Sequence, residues 1–273
     1  MFVAGSTLSA SSQFVGGDPG QSFSGGNLAV VNLVALPAAP AVRLDSVVHF
    51  ASRLAGPIAP GEPILAFGSG FENDAQLVID GVPLTSTTSA AGVEAVIPDN
   101  AKTSGAYAVQ VSSRGNLSNP VYLPAAPASP GIYSADSTGY GQGYILNSDG
   151  TLNSPANPAS PGSPITIFAS GVGSFTLNDG FAVTAQPPAV FIDAFYAYGI
   201  VAEEGPVDGF PGNVYRIKVF VPNPATLASP NPNLVDFRFP PQVGVKLVIG
   251  AVNKFNPDNS AMISEGGPLL NVR

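Results

Sequence analysis

The sequence predicts an all-β protein made of two tandem immunoglobulin-like β-sandwich domains with an extended N-terminal strand. The chain has 273 residues, which is enough for one or two domains with cores of their own. It contains 31 Gly and 28 Pro but only 10% Asp, Glu, Lys and Arg, against about 25% charged residues in an average protein. Short apolar runs alternate with Pro, Gly and Asp-Gly turns, which is typical of sandwiches.

The N-terminal part, residues 1–43, is predicted to be an extension with one strand at residues 27–36 (NLAVVNLVAL). A Gly/Ser-rich stretch precedes this strand, and Pro37 and Pro40 end it because proline cannot donate to a β-ladder. Both faces of the strand are apolar, as in strands buried on two sides. The side chains that we assign to an assembly strand are Leu28, Val30, Val31, Leu33, Val34 and Leu36.

Two sandwich domains are predicted to follow. Residues 44–123 form the first, residues 124–130 a Pro-rich linker, and residues 131–273 the second. The first contains strands at 64–67, 75–79, 93–97 and 107–111, with an Asp80-Gly81 turn. The second contains strands at 143–146, 165–168, 189–198, 214–221, 243–249 and 269–272.

Two internal repeats support this division. PGEPILAFGSG at 60–70 and PGSPITIFASG at 161–171 match at seven of eleven positions, which predicts equivalent strands in related domains. LPAAPA occurs at 36–41 and again at 123–128, each time shortly after an asparagine, Asn32 or Asn119. At its second occurrence the motif closes a domain, so we expect the strand at 27–36 to be a closing strand that needs a partner sheet.

The central segment PGIYSADSTGYGQGYILNSDGTLNSPANPASPGSPITIFASGVG resembles the uncharacterised Solibacter-type carboxy-terminal domain of exported acidobacterial proteins. The upstream segments AGPIAPGEPILAFGSGF and SNPVYLPAAPASPGIY are similar to the immunoglobulin-like or TIG-like region that precedes that domain. The resemblance spans roughly residues 50–273 and thins after Gly173. It implies an extracellular or cell-surface pair of β-sandwiches and offers no catalytic residues.

Composition argues against several classes of partner. The net charge is −8 and the ten basic residues are scattered singly, so no basic platform for nucleic acid is expected. Cys is absent, which excludes disulfides and thiolate chemistry. No apolar run reaches the roughly 20 residues that a membrane-spanning helix needs.

The candidate catalytic residues lack the partners and spacing that known catalytic sites need. The one histidine, His49, lies in a strand-like segment, and Ser69 and Ser170 lack the outer glycine of a nucleophile elbow. Glu203 and Glu204 are adjacent, so in an extended segment they would point to opposite sides, and a solvated loop explains them better than a glycosidase pair. We therefore expect no enzymatic activity.

Two binding sites remain as side hypotheses. Asn147, Asp149 and Asn153 offer alternate oxygen donors before and after Gly150, loosely like a calcium loop, although an Asp-Gly hairpin turn explains the segment more simply. Tyr196 and Tyr198 lie two apart and could contact glycans. Tyr140 and Tyr144 could extend that surface, with packing in the core or rim as the alternative.

The sequence therefore predicts a non-enzymatic extracellular structural protein of bacterial type. We expect it to self-assemble head to tail into a filament, with itself as the partner, by β-strand complementation through residues 27–36. No cofactor is expected apart from the calcium hypothesis. The alternative prediction is a cell-surface adhesion or carbohydrate-binding β-sandwich module.

Overall fold

The computed structural model describes residues 42–178, 181–184, 188–193, 195–197, 201–223, 241–249, 262–263 and 269–272. All regular elements in these ranges are β-strands, which confirms the predicted all-β fold. Within the same ranges there is no helix with the length and apolarity of a membrane span. The predicted strand at 27–36 lies outside the described residues.

The first sandwich consists of two antiparallel sheets. Its strands are β1 (Arg43–His49), β2 (Pro63–Ser69), β3 (Gln76–Ile79), β4 (Val82–Pro83), β5 (Ser86–Ser89), β6 (Gly92–Val96), β7 (Ala106–Ser113), β8 (Asn116–Leu117) and β9 (Val121–Pro124). One sheet has the order β1-β2-β6-β5 and the other the order β4-β3-β7-β8, with β9 also paired to β7. Leu44, Ile64 and Val93 from one sheet share a core with Leu77 and Val109 from the other.

The second sandwich repeats this arrangement. Its strands are β10 (Gly131–Ile132), β11 (Ile145–Leu146), β12 (Pro164–Ser170), β15 (Pro188–Ile192), β16 (Phe195–Ala197), β17 (Val201–Pro206), β18 (Asn213–Phe220), β19 (Gln242–Ile249), β20 (Met262–Ile263) and β21 (Leu269–Asn271), and β13 (Phe175–Asn178) and β14 (Phe181–Thr184) form a separate hairpin. One sheet has the order β10-β12-β18-β17; in the other, β16, β15 and β19 are neighbours and both β20 and β21 pair with β19. The order therefore parallels that of the first sandwich.

The predicted repeat corresponds to equivalent strands. β2 and β12 both begin with proline after a turn in which a glycine, Gly61 or Gly162, has a positive φ of 72° or 81°. Each strand is followed by another left-handed glycine, Gly70 or Gly171. The shared sequence thus encodes one entry turn, one central strand and one exit turn in each sandwich.

One predicted strand is wrong in its extent. The run at 189–198 was expected to be a single strand, but β15 and β16 form a hairpin in which Ile192 faces Phe195. Asp193 has a φ of 54°, in the left-handed region that tight hairpin turns use. The turn is hard to predict from the sequence because Asp193 is the one charged residue in an otherwise apolar run.

The segment between the sandwiches is packed rather than suspended in solvent. Ala126, Ala128 and Ser129 are buried, and the Ser129 N–H donates to the Gly171 carbonyl at 2.7 Å. A third cluster of buried residues joins Ala51 before the segment to Tyr133 and Phe168 after it. The described residues accordingly belong to one compact unit.

Candidate functional site

The assembly strand predicted at residues 27–36 lies outside the described residues, but the structure describes its near copy. NLVALPAAPA at 32–41 and NPVYLPAAPA at 119–128 differ only at Leu33, where the copy has Pro120, and at Ala35, where it has Tyr122. We call residues 119–128 the closing segment. Its contacts show what the shared residues do.

The closing segment completes the first sandwich. Its strand β9 pairs antiparallel with β7, and the side chains of Val121 and Leu123 pack on the core between the sheets. The Pro124 carbonyl accepts from the Ile58 N–H at 2.8 Å, and the Ile58 carbonyl accepts from the Ala126 N–H at 2.9 Å. The segment thus pairs with one sheet edge and with the loop that precedes β2.

Asn119 fastens the closing segment to the first strand. Its side-chain oxygen accepts from the Leu44 N–H at 3.1 Å, and its side-chain NH₂ donates to the Leu44 carbonyl at 2.8 Å. The amide therefore satisfies both backbone groups of Leu44, a residue that is itself buried. An unpaired buried backbone group is costly, so the asparagine has a structural role that few other side chains can take.

The two differing positions both face solvent. Pro120 is exposed and Tyr122 is 70% exposed, whereas the half-buried Val121 and Leu123 are identical in the copy at 32–41. The repeat therefore preserves the residues that contact a sandwich and varies those that do not. Within the described residues the closing positions are occupied by β9 in the first sandwich and by β21 in the second.

A buried polar cluster lies at the junction between the sandwiches, which we call the junction cluster: His49, Ser52, Glu62 and Ser129. The Glu62 carboxyl oxygen Oε1 lies 3.4 Å from His49 Nδ1, and Ser129 Oγ lies 3.3 Å from His49 Nε2. Ser52 Oγ lies 3.4 Å from His49 Nδ1. Burial raises the pKa of Glu62 well above its usual range, against a smaller opposite effect of the hydrogen bond from Ala59 N–H.

The junction cluster has the residue types of a catalytic triad but not the required proton arrangement. His49 Nε2 lies 2.8 Å from the Pro57 carbonyl, and because a carbonyl only accepts, Nε2 must carry a proton. In the neutral ring that nitrogen then has no lone pair to take a proton from Ser129, as a general base must. Glu62 is fully buried and His49 is 8% exposed. The geometry fits a structural role, in which the buried polar groups stabilise the junction between the sandwiches.

Sequence reasoning missed the junction cluster because His49 and Glu62 meet only when strands β1 and β2 pair, and Ser129 lies far along the chain from both. Glu62 occupies the variable position of the PG-x-P turn, where the second repeat has Ser163. A glutamate between two prolines at the entry of a buried strand is the one local signal, since such a position has little access to solvent. The approach of Glu62 to His49 follows from the pairing of β1 with β2, and the contact of His49 with Ser129 follows from the packing of the segment between the sandwiches.

The calcium hypothesis concerns side chains that already have hydrogen-bond partners. Asn147 Oδ1 accepts from Asn153 Nδ2 at 3.0 Å, Asp149 Oδ1 accepts from Thr151 Oγ1 at 2.5 Å, and Asn153 Oδ1 accepts from the Asn271 N–H at 2.7 Å. Asn153 is fully buried. These oxygens are engaged in a turn with Gly150 in the left-handed region. The described residues contain no group of three or more acidic or histidine side chains suited to a metal.

The four tyrosines of the glycan hypothesis do not all share a described surface. Tyr140 is 56% exposed, but Tyr144 packs edge-on against Phe168 and Phe210 at 5.0 and 5.1 Å. Tyr196 lies on β16, where the structure describes only the backbone, and Tyr198 lies outside the described residues. Tyr144 is therefore a packing residue.

Glu203 and Glu204 lie on strand β17 rather than in the solvated loop that the sequence suggested. They face opposite ways, as expected for neighbours in a strand. Glu203 pairs with Arg216 at 3.4 Å. Glu204 is half-buried, and burial, with the nearby charge of Asp99, raises its pKa to about 7.

No protein-family model matches the chain. No curated protein matches its sequence either. Among solved structures, the chain is similar to an endo-fucoidan hydrolase, MfFcnA4, from glycoside hydrolase family 107, with 8% identity, a TM-score of 0.14 and coverage of 81% of this chain and 43% of the hydrolase. A variant of the same hydrolase gives 9% identity and the same TM-score of 0.14. The chain thus spans less than half the length of that enzyme, and similarity this low carries no argument.

Proposed function

We propose that the protein is a non-enzymatic structural protein of the cell exterior whose copies assemble head to tail. In this assembly, residues 27–36 of one copy add a strand to a sheet of the next copy. The observation that supports the proposal is the closing segment, because its near copy at 32–41 keeps the residues that contact a sandwich. The extracellular location rests on the resemblance of the sequence to exported domains.

A strand of this kind needs a partner. A lone strand leaves its backbone donors and acceptors unpaired and its apolar faces in water, and even a two-stranded hairpin is marginal. The described closing positions are taken by β9 and β21, so the added strand extends an edge rather than filling a gap. Edge addition supplies affinity through backbone hydrogen bonds and specificity through alternate side chains.

Head-to-tail contact determines the type of assembly. The donor strand precedes the first sandwich and the acceptor edge belongs to the body of another copy, so the interface is heterologous. Such an interface gives an open filament unless its rotation closes a ring. A chain with 28 Pro and only ten Lys and Arg also offers few sites to proteases that cut after basic residues.

Sedimentation velocity of the full chain and of two proline variants tests the proposal. Val34→Pro removes one backbone donor from the strand and fixes its φ, so we expect this variant to sediment as a monomer at concentrations where the full chain assembles. Ser12→Pro, in the Gly/Ser-rich stretch before the strand, is the matched control and is expected to assemble like the full chain. Equal assembly of Val34→Pro and the full chain would refute the proposal.

The second candidate is a carbohydrate-binding surface module. The exposed ring of Tyr140 favours it, since aromatic faces stack on sugars. Binding on a glycan array that is lost in Tyr140→Ala, Tyr196→Ala or Tyr198→Ala would support this function. Tyr122→Ala, which removes a 70% exposed ring from the first sandwich, is the control and is expected to leave such binding unchanged.

A further inference from the structure

The junction between the sandwiches joins two different ends of the repeated strand. We call the turn before that strand the entry turn, and the end of the strand with its following glycine the exit end; the entry turns are residues 60–63 and 161–164, and the exit ends are residues 67–70 and 168–171. Gly61 lies beside Ser170 and Gly171 around a small cavity between the sandwiches. A Cβ built on Gly171 would lie 3.2 Å from Glu62 Oε1. The entry turn of the first sandwich therefore packs on the exit end of the second.

The exit end of the first sandwich has the same sequence pattern but is exposed. Ser69 and Ser170 each pair with the first strand of their sandwich, β1 or β10. In the second sandwich Ser170 is buried, and Phe168 is buried in a cluster that also contains Ala51 of the first sandwich. In the first sandwich Ser69 is exposed and Phe67 is 37% exposed. This exit end therefore lacks the cover that its counterpart receives.

The entry turns show the reverse difference. Pro60 and Glu62 of the first sandwich are buried at the junction. Their counterparts in the second sandwich, Pro161 and Ser163, are only half-buried, and Gly162 between them is exposed. Among the described residues, each copy of the protein thus presents one uncovered exit end and one uncovered entry turn.

The strand beside each entry turn supports this equivalence. Val96 lies opposite Pro63 in the pairing of β2 with β6, and Phe220 lies opposite Pro164 in the pairing of β12 with β18. Val96 faces the junction, because a Cβ built on Gly212 of the second sandwich would lie 2.9 Å from its Cγ2. Phe220 is 42% exposed. Each uncovered surface therefore carries an exposed phenylalanine whose counterpart lies at the junction.

The sequence before the uncovered exit end also repeats the sequence that crosses the junction. The LPAAPA motif at 123–128 leads into β10 after two residues, and the same motif at 36–41 leads into β1 after one. The chain thus enters the first sandwich through the motif by which it passes from the first sandwich to the second.

We propose that the exit end of the first sandwich docks the entry turn of the second sandwich of another copy, so that each contact between copies repeats the junction within the chain. This inference rests on the proposed head-to-tail assembly and names the two surfaces that meet in it. Ser163 replaces Glu62 in the entry turn, so the contact buries a neutral hydroxyl instead of a carboxyl group. Because the two surfaces differ, the contact is heterologous and continues from copy to copy.

Sedimentation velocity of Phe67→Ser and Phe220→Ser tests the two surfaces. Each variant is expected to raise the concentration needed for assembly about tenfold, because it removes an apolar ring that the contact buries. Tyr122→Ser removes a 70% exposed ring that lies on neither surface, so this control should assemble like the full chain. Unchanged assembly of both phenylalanine variants would overturn the docking, and it would leave the proposed function standing if Val34→Pro still prevents assembly.

Cross-linking gives a second readout that leaves the packed side chains unchanged. The chain contains no Cys, so Ser69→Cys and Ser163→Cys can be prepared separately, mixed and treated with a short bis-maleimide. Mass spectrometry should find peptides that link position 69 of one copy to position 163 of another. A mixture of Ser69→Cys and Tyr122→Cys is the control and should give only background links. Absence of the link between positions 69 and 163, or links between two copies of position 69 instead, would overturn the proposal.

Discussion

Glu62 has no exposed surface, and its carboxyl group accepts the Ala59 N–H at 2.9 Å while facing His49. Because burial raises the pKa of this carboxyl, it favours the protonated form, which can donate a hydrogen bond as well as accept one. A protonated Glu62 facing His49 Nδ1 complements a ring whose Nε2 donates to Pro57. Burial thus disfavours the charged form of Glu62 at the junction.

Removing the Glu62 side chain is expected to destabilise the protein strongly. Glu62→Ala removes the acceptor of the Ala59 N–H and the carboxyl group that faces His49 Nδ1, at a cost of about 2–4 kcal/mol in free energy of unfolding. Urea denaturation measures this cost. Glu72→Ala, at an exposed residue paired with Arg114 at 3.0 Å, is the control and should change little. A similar result for both variants would contradict the structural role of Glu62.

Gly171 of the second sandwich lies close against the backbone of the segment between the sandwiches. Its φ is +71°, and a Cβ built on it would lie 2.1 Å from the Ser129 carbonyl oxygen. Gly150 has a φ of +81° but nothing within 4 Å of such a Cβ. Both glycine-to-alanine variants incur left-handed strain, of about 1 kcal/mol, but only Gly171→Ala also creates a clash. Chemical denaturation should therefore show a clearly larger loss for Gly171→Ala, and equal losses would argue against this close approach.

Glu204 makes a pH-dependent contribution of definite sign. Its pKa is about 7 in the folded protein, against an ordinary value of 4.5, so the stability it contributes is present below pH 4.5 and is lost as the pH rises through 7. Unfolding curves at stepped pH should show a decline over this window that is weaker in Glu204→Gln. An unchanged decline in that variant would show that other groups cause it.

At the scale of elements, Asn119 connects the closing segment to strand β1. Asn119→Ala leaves the Leu44 N–H and carbonyl without these partners, at an expected cost of about 1–3 kcal/mol in free energy of unfolding. Asn116→Ala is the control, because Asn116 is exposed and bonds only locally, to the Arg114 carbonyl at 3.2 Å. Equal free energies of unfolding for the two variants in urea denaturation would contradict this role of Asn119. They would also remove the structural reason for Asn32 at the equivalent position of the copy.

The strands that the sequence predicted well are those with a repeated or alternating pattern. β2 and β12 carry the repeat, and β7 alternates buried residues such as Tyr107, Val109 and Val111 with less buried neighbours. β17 was missed because Glu203 and Glu204 suggest solvent, whereas in this edge strand Glu203 is exposed and Glu204 is half-buried. The local sequence pattern predicts a strand but does not predict the neighbouring strand that stabilises it.

The candidate sites depend on contacts that no local pattern contains. His49 and Glu62 meet because strands β1 and β2 pair, and Ser129 reaches them from the segment between the sandwiches. Asp99 meets Glu204 because the two sandwiches dock. The calcium ligands suggested by spacing at 147–153 instead complete each other's hydrogen bonds. The assembly strand could be proposed from sequence because it is a copy of a segment within the same chain.

At the scale of the whole molecule, the two sandwiches are expected to unfold together. They share a cluster of buried residues that includes Ala51 and Tyr133, and the segment between them is bonded to Gly171. A chain lacking residues 1–41 should therefore give one calorimetric transition whose calorimetric and van't Hoff enthalpies agree. Two separate peaks would show that the junction couples the sandwiches only weakly.

Head-to-tail assembly through residues 27–36 is tested most directly by electron micrographs of the full chain beside the same chain lacking residues 1–41. Filaments are expected for the full chain and single particles of one size for the shortened chain, because the strand that extends the neighbouring sheet is gone. Filaments in both samples, or in neither, would contradict assembly through that strand.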